Sequence, residues 1–216
     1  MINTESKLHK IYLGQMEEVT KRCDAVLVFL DAYKKSNNEM DFDSCVLQLR
    51  KALEALAYAS IAPNKNAYQA FRSNAEKQND YKKDYKASSI LQALKRINVD
   101  FYPLPLIPAI QKGDGTWHYD RKAVDYLTDK RFVKIYDRLG KFLHADNPWD
   151  NNKNPQNLVS EIERTINEAR ELLELHATFI KTPEYKGVWV VCVPKDGSVP
   201  SLINAKVDGG FIVNKT

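Results

Sequence analysis

The sequence has no long apolar run, little glycine, and none of the short spacings that mark a nucleotide-binding loop, a serine hydrolase or a zinc site. Its longest uninterrupted apolar stretches are six residues, at 25–30 and 188–193, far short of the roughly 20 needed to cross a bilayer. The opening residues MINTESKLHK lack the apolar core of an export signal. These absences predict a soluble, non-exported, cytoplasmic protein with no membrane contact. Eight Gly and nine Pro among 216 residues, with 44% hydrophobic content, exclude collagen-like and disordered chains. Cys23, Cys45 and Cys192 are an odd, scattered set without CxxC spacing. They exclude a disulfide framework and read as reduced core thiols. GxSxG, Walker A, GxGxxG and HExxH are all missing, so no metal and no cofactor is expected.

What is present suffices for one real core, in one domain or one domain with an appendage. The net charge is +4, and its distribution says more than its size. Arg72, Lys77, Lys82, Lys83, Lys86, Lys95 and Arg96 face only Glu76, Asp80 and Asp84 over the same stretch, which leaves the rest of the chain neutral.

Residues 5–35 carry apolar side chains at alternating spacings of three and four, from Leu8 and Tyr12 through Met16, Val19, Cys23, Val26 and Leu30 to Tyr33. That spacing predicts a long amphipathic helix. A second helix is expected from about Asp43, capped by that residue and ended by Pro63, packing antiparallel to the first. Shorter helices follow over 67–75 and from Ser88 or Ser89 to Asn98. Pro103, Pro105 and Pro108 forbid helix over 99–120, where the turn Gly113-Asp114-Gly115 lies between Ile110 and Trp117 and predicts a hairpin or ordered loop. A fifth helix should run from the cap residue Thr128 to about His144, and a sixth over 155–181. From there the period changes: 188–193 is β-branched and bounded by turns, which predicts a short antiparallel meander over 182–216. The expected architecture is therefore mainly α: an up-and-down bundle of five to six helices over 1–181, with a small C-terminal β appendage.

Four histidines are available for chemistry, His9, His118, His144 and His176. His176 lies on the apolar seam of the sixth helix and reads as a satisfied core residue. His144 closes the segment Tyr136-Asp-Arg138-Leu-Gly-Lys-Phe-Leu-His144-Ala-Asp-Asn-Pro, at the end of a helix and beside a polar loop. Six residues of helix separate Arg138 from His144 by about 600°, so the two side chains do not simply bond each other and either flank one groove or meet across a two-fold axis. The plainer reading makes Arg138 a solvated charge beside Arg131, Lys134 and Lys141, and His144 a complement to the negative end of the helix dipole. Asp146 and Asn147 are placed either to orient His144 or contact a ribose, or to cap the loop. The run from Tyr81 through Lys82, Lys83 and Tyr85 to Lys86 suits phosphates and stacked bases, and suits a solvated loop as well.

The long first helix, the Arg50-Lys-Ala-Leu-Glu54 segment on the second, and a late helix ending in Arg-x5-His-Ala-Asp-Asn-Pro together resemble the HEPN superfamily. The resemblance covers roughly residues 5–181. It implies an all-helical, usually dimeric module of the kind common in toxin–antitoxin and phage-defence systems. It also implies metal-independent endoribonuclease activity, with Arg138 and His144 catalytic in a composite dimer cleft. Asp146 and Asn147 then act in support, Glu54 holds the motif helix, and Tyr81, Lys82, Lys83, Tyr85, Lys86 and Lys141 bind RNA. The implied partners are a second copy of the chain, RNA, and an antitoxin or regulatory protein. Such chemistry is self-consistent: the RNA 2′-hydroxyl is an internal nucleophile, so a histidine to take its proton and an arginine to hold the phosphate suffice. Active members often carry a polar residue directly after the arginine, where this chain has Leu139. That departure keeps a second reading in play, a non-catalytic dimeric module that binds nucleotide, RNA or a partner protein.

Overall fold

The computed structural model describes residues 2–74, 84–113, 115–145, 149, 154–181 and 186–206. Helix α1 spans Ile2–Ser36 and α2 spans Glu39–Ile61. A single 3-10 turn, Ala62–Asn64, leads into α3, Lys65–Ser73, and α4 covers Ala87–Ile97. Helices α5, Asp129–Phe142, and α6, Gln156–Leu173, complete the helical part. Strands β1 (Leu104–Pro105), β4 (Leu175–Lys181), β5 (Lys186–Cys192) and β6 (Ser201–Lys206) form one antiparallel sheet in the order β1-β4-β5-β6. The remaining pair, β2 (Ile110–Gln111) and β3 (Trp117–His118), is the expected hairpin. Among the described residues, no helix is long and apolar enough to cross a membrane.

The α1 stripe does what its spacing requires. Tyr12, Met16, Val19, Cys23, Val26, Leu30 and Tyr33 are all buried, alternating four and three apart, against Val46, Leu49, Leu53 and Leu56 of α2. The chain reverses between the two helices within a pair of residues. Asn37 takes a left-handed backbone, φ 55°, and the Asn38 side chain accepts a hydrogen bond from the Met40 amide at 3.1 Å. The cap is thus Asn38 rather than Asp43, and α2 begins four residues earlier than its apolar pattern indicates. Thr128 caps α5 as expected, its hydroxyl accepting from the Arg131 amide at 3.2 Å. Cys23 and Cys45 are buried free thiols and Cys192 is half-buried. Burial pushes the first two up to about 12, so both stay protonated.

The largest departure from expectation is at the end of α6. The helix stops at Leu173, and residues 175–181 are strand β4, paired along its length with β5. His176 and Ile180, four apart, satisfy a helical period and a strand period equally, so periodicity alone cannot separate the two. The partner strand decides it. The sheet is accordingly not an appendage confined to 182–216: it takes β4 from before that boundary and β1 from the proline-rich segment. One face of the sheet joins the helical core through Trp189 and Val191. Residues 207–216, the end of the expected meander, lie outside the described residues.

His176 locks this junction. It is fully buried on β4, with Nδ1 2.9 Å from the Leu173 carbonyl and Nε2 2.7 Å from the Tyr12 hydroxyl. A carbonyl only accepts, so Nδ1 carries the proton, and neutral Nε2 accepts from the Tyr12 O–H. Burial lowers the histidine to about 4, which keeps it neutral, and pushes the Tyr12 phenol well up. Strand β4 is in this way tied to α1 by a satisfied polar pair inside the core, and His176 is structural.

Candidate functional site

Helix α5 carries two different polar faces. Arg131 and Arg138, seven apart, share the face turned to α6; Tyr136 and Gly140, four apart, share the face turned to α2. On the α6 side the charges are matched. Arg131 Nε bonds Glu168, and its Nη1 lies 3.8 Å from Glu161. Arg138 Nη1 pairs with the same Glu161, and Arg164 Nε reaches Glu168 at 2.7 Å. Glu161 and Glu168 are mostly buried, at 14% and 10% side-chain exposure. The sequence marks Arg138 as a phosphate ligand; the structure gives it a carboxylate partner and a place in an interhelical ladder.

The α2 side is built differently. Arg50 lies over the Tyr136 ring, its Cζ 3.9 Å from the ring centroid. Its Nη2 donates to the Tyr136 hydroxyl at 2.7 Å and its Nη1 to the Tyr136 carbonyl at 3.0 Å. The Tyr136 O–H in turn donates to Glu54 at 2.9 Å, and Glu54 lies 3.4 Å from Arg50 Nε. A side chain can reach a helical carbonyl this closely only where the next turn leaves room. Gly140 provides it: a Cβ there would fall 2.7 Å from Arg50 Nη1. Burial first, and the Glu54 hydrogen bond second, push Tyr136 up to about 12, so it stays a phenol.

The cluster continues toward the basic tyrosine stretch. The Ala87 amide, at the start of α4, faces the Tyr136 oxygen. Lys86 occupies the α4 cap position, and Tyr85 is 77% exposed. Asp84 is fixed by the Tyr68 hydroxyl at 2.8 Å and by Arg72 Nη2 at 2.7 Å. Tyr58 lies between Glu54 and Asp84, and its phenol is raised by burial and by both carboxylates. The described end of the basic stretch is therefore anchored beside Arg50 and Tyr136. Tyr81, Lys82 and Lys83 lie outside the described residues.

His144 is exposed, just past the α5 cap at Leu143 and four residues beyond Gly140. Helix α5 ends at Phe142 with Leu143 as its cap, so His144 follows the helix directly, at the same end of α5 as Gly140. Lys141 is exposed on the last turn. Asp146 and Asn147 lie outside the described residues. The structure thus brings Glu54 to Tyr136 and Arg50, and Lys86 and Tyr85 to the same neighbourhood, while Arg138 is drawn off to α6. The sequence reading passed over Arg50 and Gly140 as functional residues. The available signal was a glycine inside an amphipathic helix, one turn after a tyrosine and one turn before the histidine.

No family model matches this chain, and no curated protein or solved structure matches it.

Proposed function

We propose that the chain is a HEPN-type, metal-independent endoribonuclease that works as a homodimer, with His144 and Arg50 at its centre. The observation that carries this reading is the Arg50 guanidinium stacked on Tyr136 above Gly140, at the end of α5 from which His144 extends. Two hydrogen bonds and the Glu54 ion pair orient Arg50, yet each of its terminal nitrogens keeps a further N–H for a phosphate oxygen. Exposed Lys86 and Lys141 add charge for the RNA backbone, and exposed Tyr85 adds a surface on which a base stacks.

The chemistry is transphosphorylation. The 2′-hydroxyl attacks the adjacent phosphorus as His144 takes its proton; Arg50 holds the charge that gathers on the phosphoryl oxygens; the 5′-oxygen leaves with a proton. The products are a 2′,3′-cyclic phosphate and a 5′-hydroxyl. One base and one acid are needed, and this site offers a single histidine per chain. Pairing two chains about a two-fold axis supplies the second, so dimerisation belongs to the mechanism. Arg138 acts as a positioning residue that holds α5 on α6 through Glu161.

The test is incubation of purified wild type and His144→Ala with total RNA and tRNA in EDTA. Wild type should yield fragments with 2′,3′-cyclic phosphate ends, and the variant none. A folded, dimeric wild type that binds RNA without cutting it would instead establish the non-catalytic binding module, a reading favoured by the paired state of Arg138 and by Leu139. Cutting that survives His144→Ala would remove the histidine from the chemistry.

A further inference from the structure

A cleft that uses none of the residues of the Arg50 cluster forms where α1, the end of α6 and the turn after β5 come together. It has two lobes, of about 130 and 270 Å3, which share Thr20, Asp24 and Gly197. The smaller, inner lobe has an apolar floor: Val19, Cys23, Ala169, Leu173 and Val193 line it and are all buried. Burial keeps the Cys23 thiol protonated, so the floor carries no charge.

The walls are tied together. The Val193 amide donates to the Glu174 carbonyl at 3.0 Å, which seats the chain leaving β5 on the end of α6. Lys195 Nζ bonds Glu171 at 2.5 Å and Glu174 at 2.8 Å, pinning the next residues to the same helix. The turn closes at Gly197, whose φ of 83° suits glycine, and Ser198 holds Asp196 through its amide at 2.9 Å. Across the mouth, Arg170 Nη2 donates to Asp24 Oδ1 at 2.6 Å and joins α6 to α1. Among the described residues this is the one bond of the Arg170 guanidinium, which leaves its Nε and Nη1 donors open. Asp24 and Asp196 are both exposed at the rim.

We infer that this cleft binds a free α-amino acid with a branched aliphatic side chain. The side chain fills the inner lobe, the α-carboxylate lies on Arg170, and the α-ammonium meets Asp24 and Asp196. An apolar pocket with a few polar groups converging on its mouth is the ordinary form of a small-molecule site. A dry cavity of about 150 Å3 takes up benzene, so an inner lobe of about 130 Å3 holds one valine, leucine or isoleucine side chain and excludes an indole. The rim also selects for a zwitterion. Arg170 and Lys195 are balanced by carboxylates, so a simple anion or a simple cation finds little net field there, whereas a ligand with both charges aligns with both. The inference stands apart from RNA cleavage, since it shares no residue with that site and requires no chemistry.

The experiment is isothermal titration of the full chain with leucine, isoleucine and valine, with glycine and tryptophan, and with isoamylamine and isocaproate, which keep a branched chain but lack one of the two charges. The branched amino acids should bind saturably, and every other ligand at least about tenfold more weakly. Arg170→Met should weaken leucine by about tenfold or more and leave isoamylamine unchanged, the loss of one charge-assisted contact. Asp24→Asn should weaken leucine by a similar factor and leave isocaproate unchanged. Both side chains reach the surface, so neither substitution threatens the fold. The inference is overturned if no branched amino acid binds folded wild type at millimolar concentration, if isocaproate or tryptophan binds as tightly as leucine, or if binding is indifferent to both substitutions.

Discussion

Replacing Gly140 by alanine tests the Arg50 cluster through the sign of a stability change. Glycine within a helix costs about 1 kcal/mol relative to alanine, so on propensity alone Gly140→Ala stabilises the protein. Arg50 should reverse that. The new Cβ would fall 2.7 Å from Arg50 Nη1 and 3.6 Å from Cζ, and the α5 backbone cannot retreat without breaking its own hydrogen bonds. The guanidinium therefore gives way, losing its bond to the Tyr136 carbonyl and its stacking on the ring. Together those contacts are worth about 1–3 kcal/mol at a partly exposed site. The expected net effect is a loss of about 1 kcal/mol in the wild-type background, when the propensity gain is set against the lost contacts. In an Arg50→Ala background nothing obstructs the methyl group, and the same substitution should stabilise by about 1 kcal/mol. Urea denaturation of the four proteins of this cycle reads a coupling of about 2 kcal/mol. A Gly140→Ala effect of equal sign and size in both backgrounds would refute the placement of Arg50 over Gly140.

Arg138→Ala should cost less than about 1 kcal/mol, because Arg138 is 38% exposed and Glu161 keeps Arg131 nearby. Glu161→Ala leaves both guanidiniums without that carboxylate and should cost more, about 1–2 kcal/mol by the same denaturation. Tyr12→Phe strands the buried Nε2 of His176 and should cost about 1–3 kcal/mol. His176 also makes stability depend on pH. Its folded value, about 4, lies below the ordinary histidine value of about 6.5, so acid favours the unfolded chain, which takes up the proton first. The contribution is complete above about pH 6.5 and is lost as pH falls toward 4, by up to about 3 kcal/mol. Urea midpoints from pH 7.5 to pH 4.5 should fall less steeply in His176→Gln than in wild type; equal slopes would contradict the buried neutral state.

The sequence makes the helical part of the fold legible because α1, α2 and α5 each bury one stripe at helical spacing, and Thr128 is a cap by residue type alone. It misleads where two periods coincide, at His176 and Ile180, and where a strand is too short to have a period, at Leu104–Pro105. Both errors concern pairing between segments distant in the chain, which no local pattern encodes. The site divides along the same line. His144, Tyr85 and Lys86 are visible as chemistry-bearing residues next to helix ends, and Glu54 as one within α2. The distribution of arginines is not, since Arg138 meets Glu161 across α6 while Arg50 reaches Tyr136 across α2. The spacing of Tyr136, Gly140 and His144 contains the hint, but only the packing of α2 on α5 shows which arginine occupies the space beside the glycine.

The most direct measurement compares initial rates of RNA cleavage in EDTA for wild type, Arg50→Lys and Arg138→Ala. Lysine keeps the charge at position 50 but loses the planar fork, so that variant should cut at least about a hundredfold more slowly, while Arg138→Ala stays within about threefold of wild type. Loss of cleavage in Arg138→Ala with Arg50→Lys unimpaired would contradict the account and return the chemistry to the α6 face.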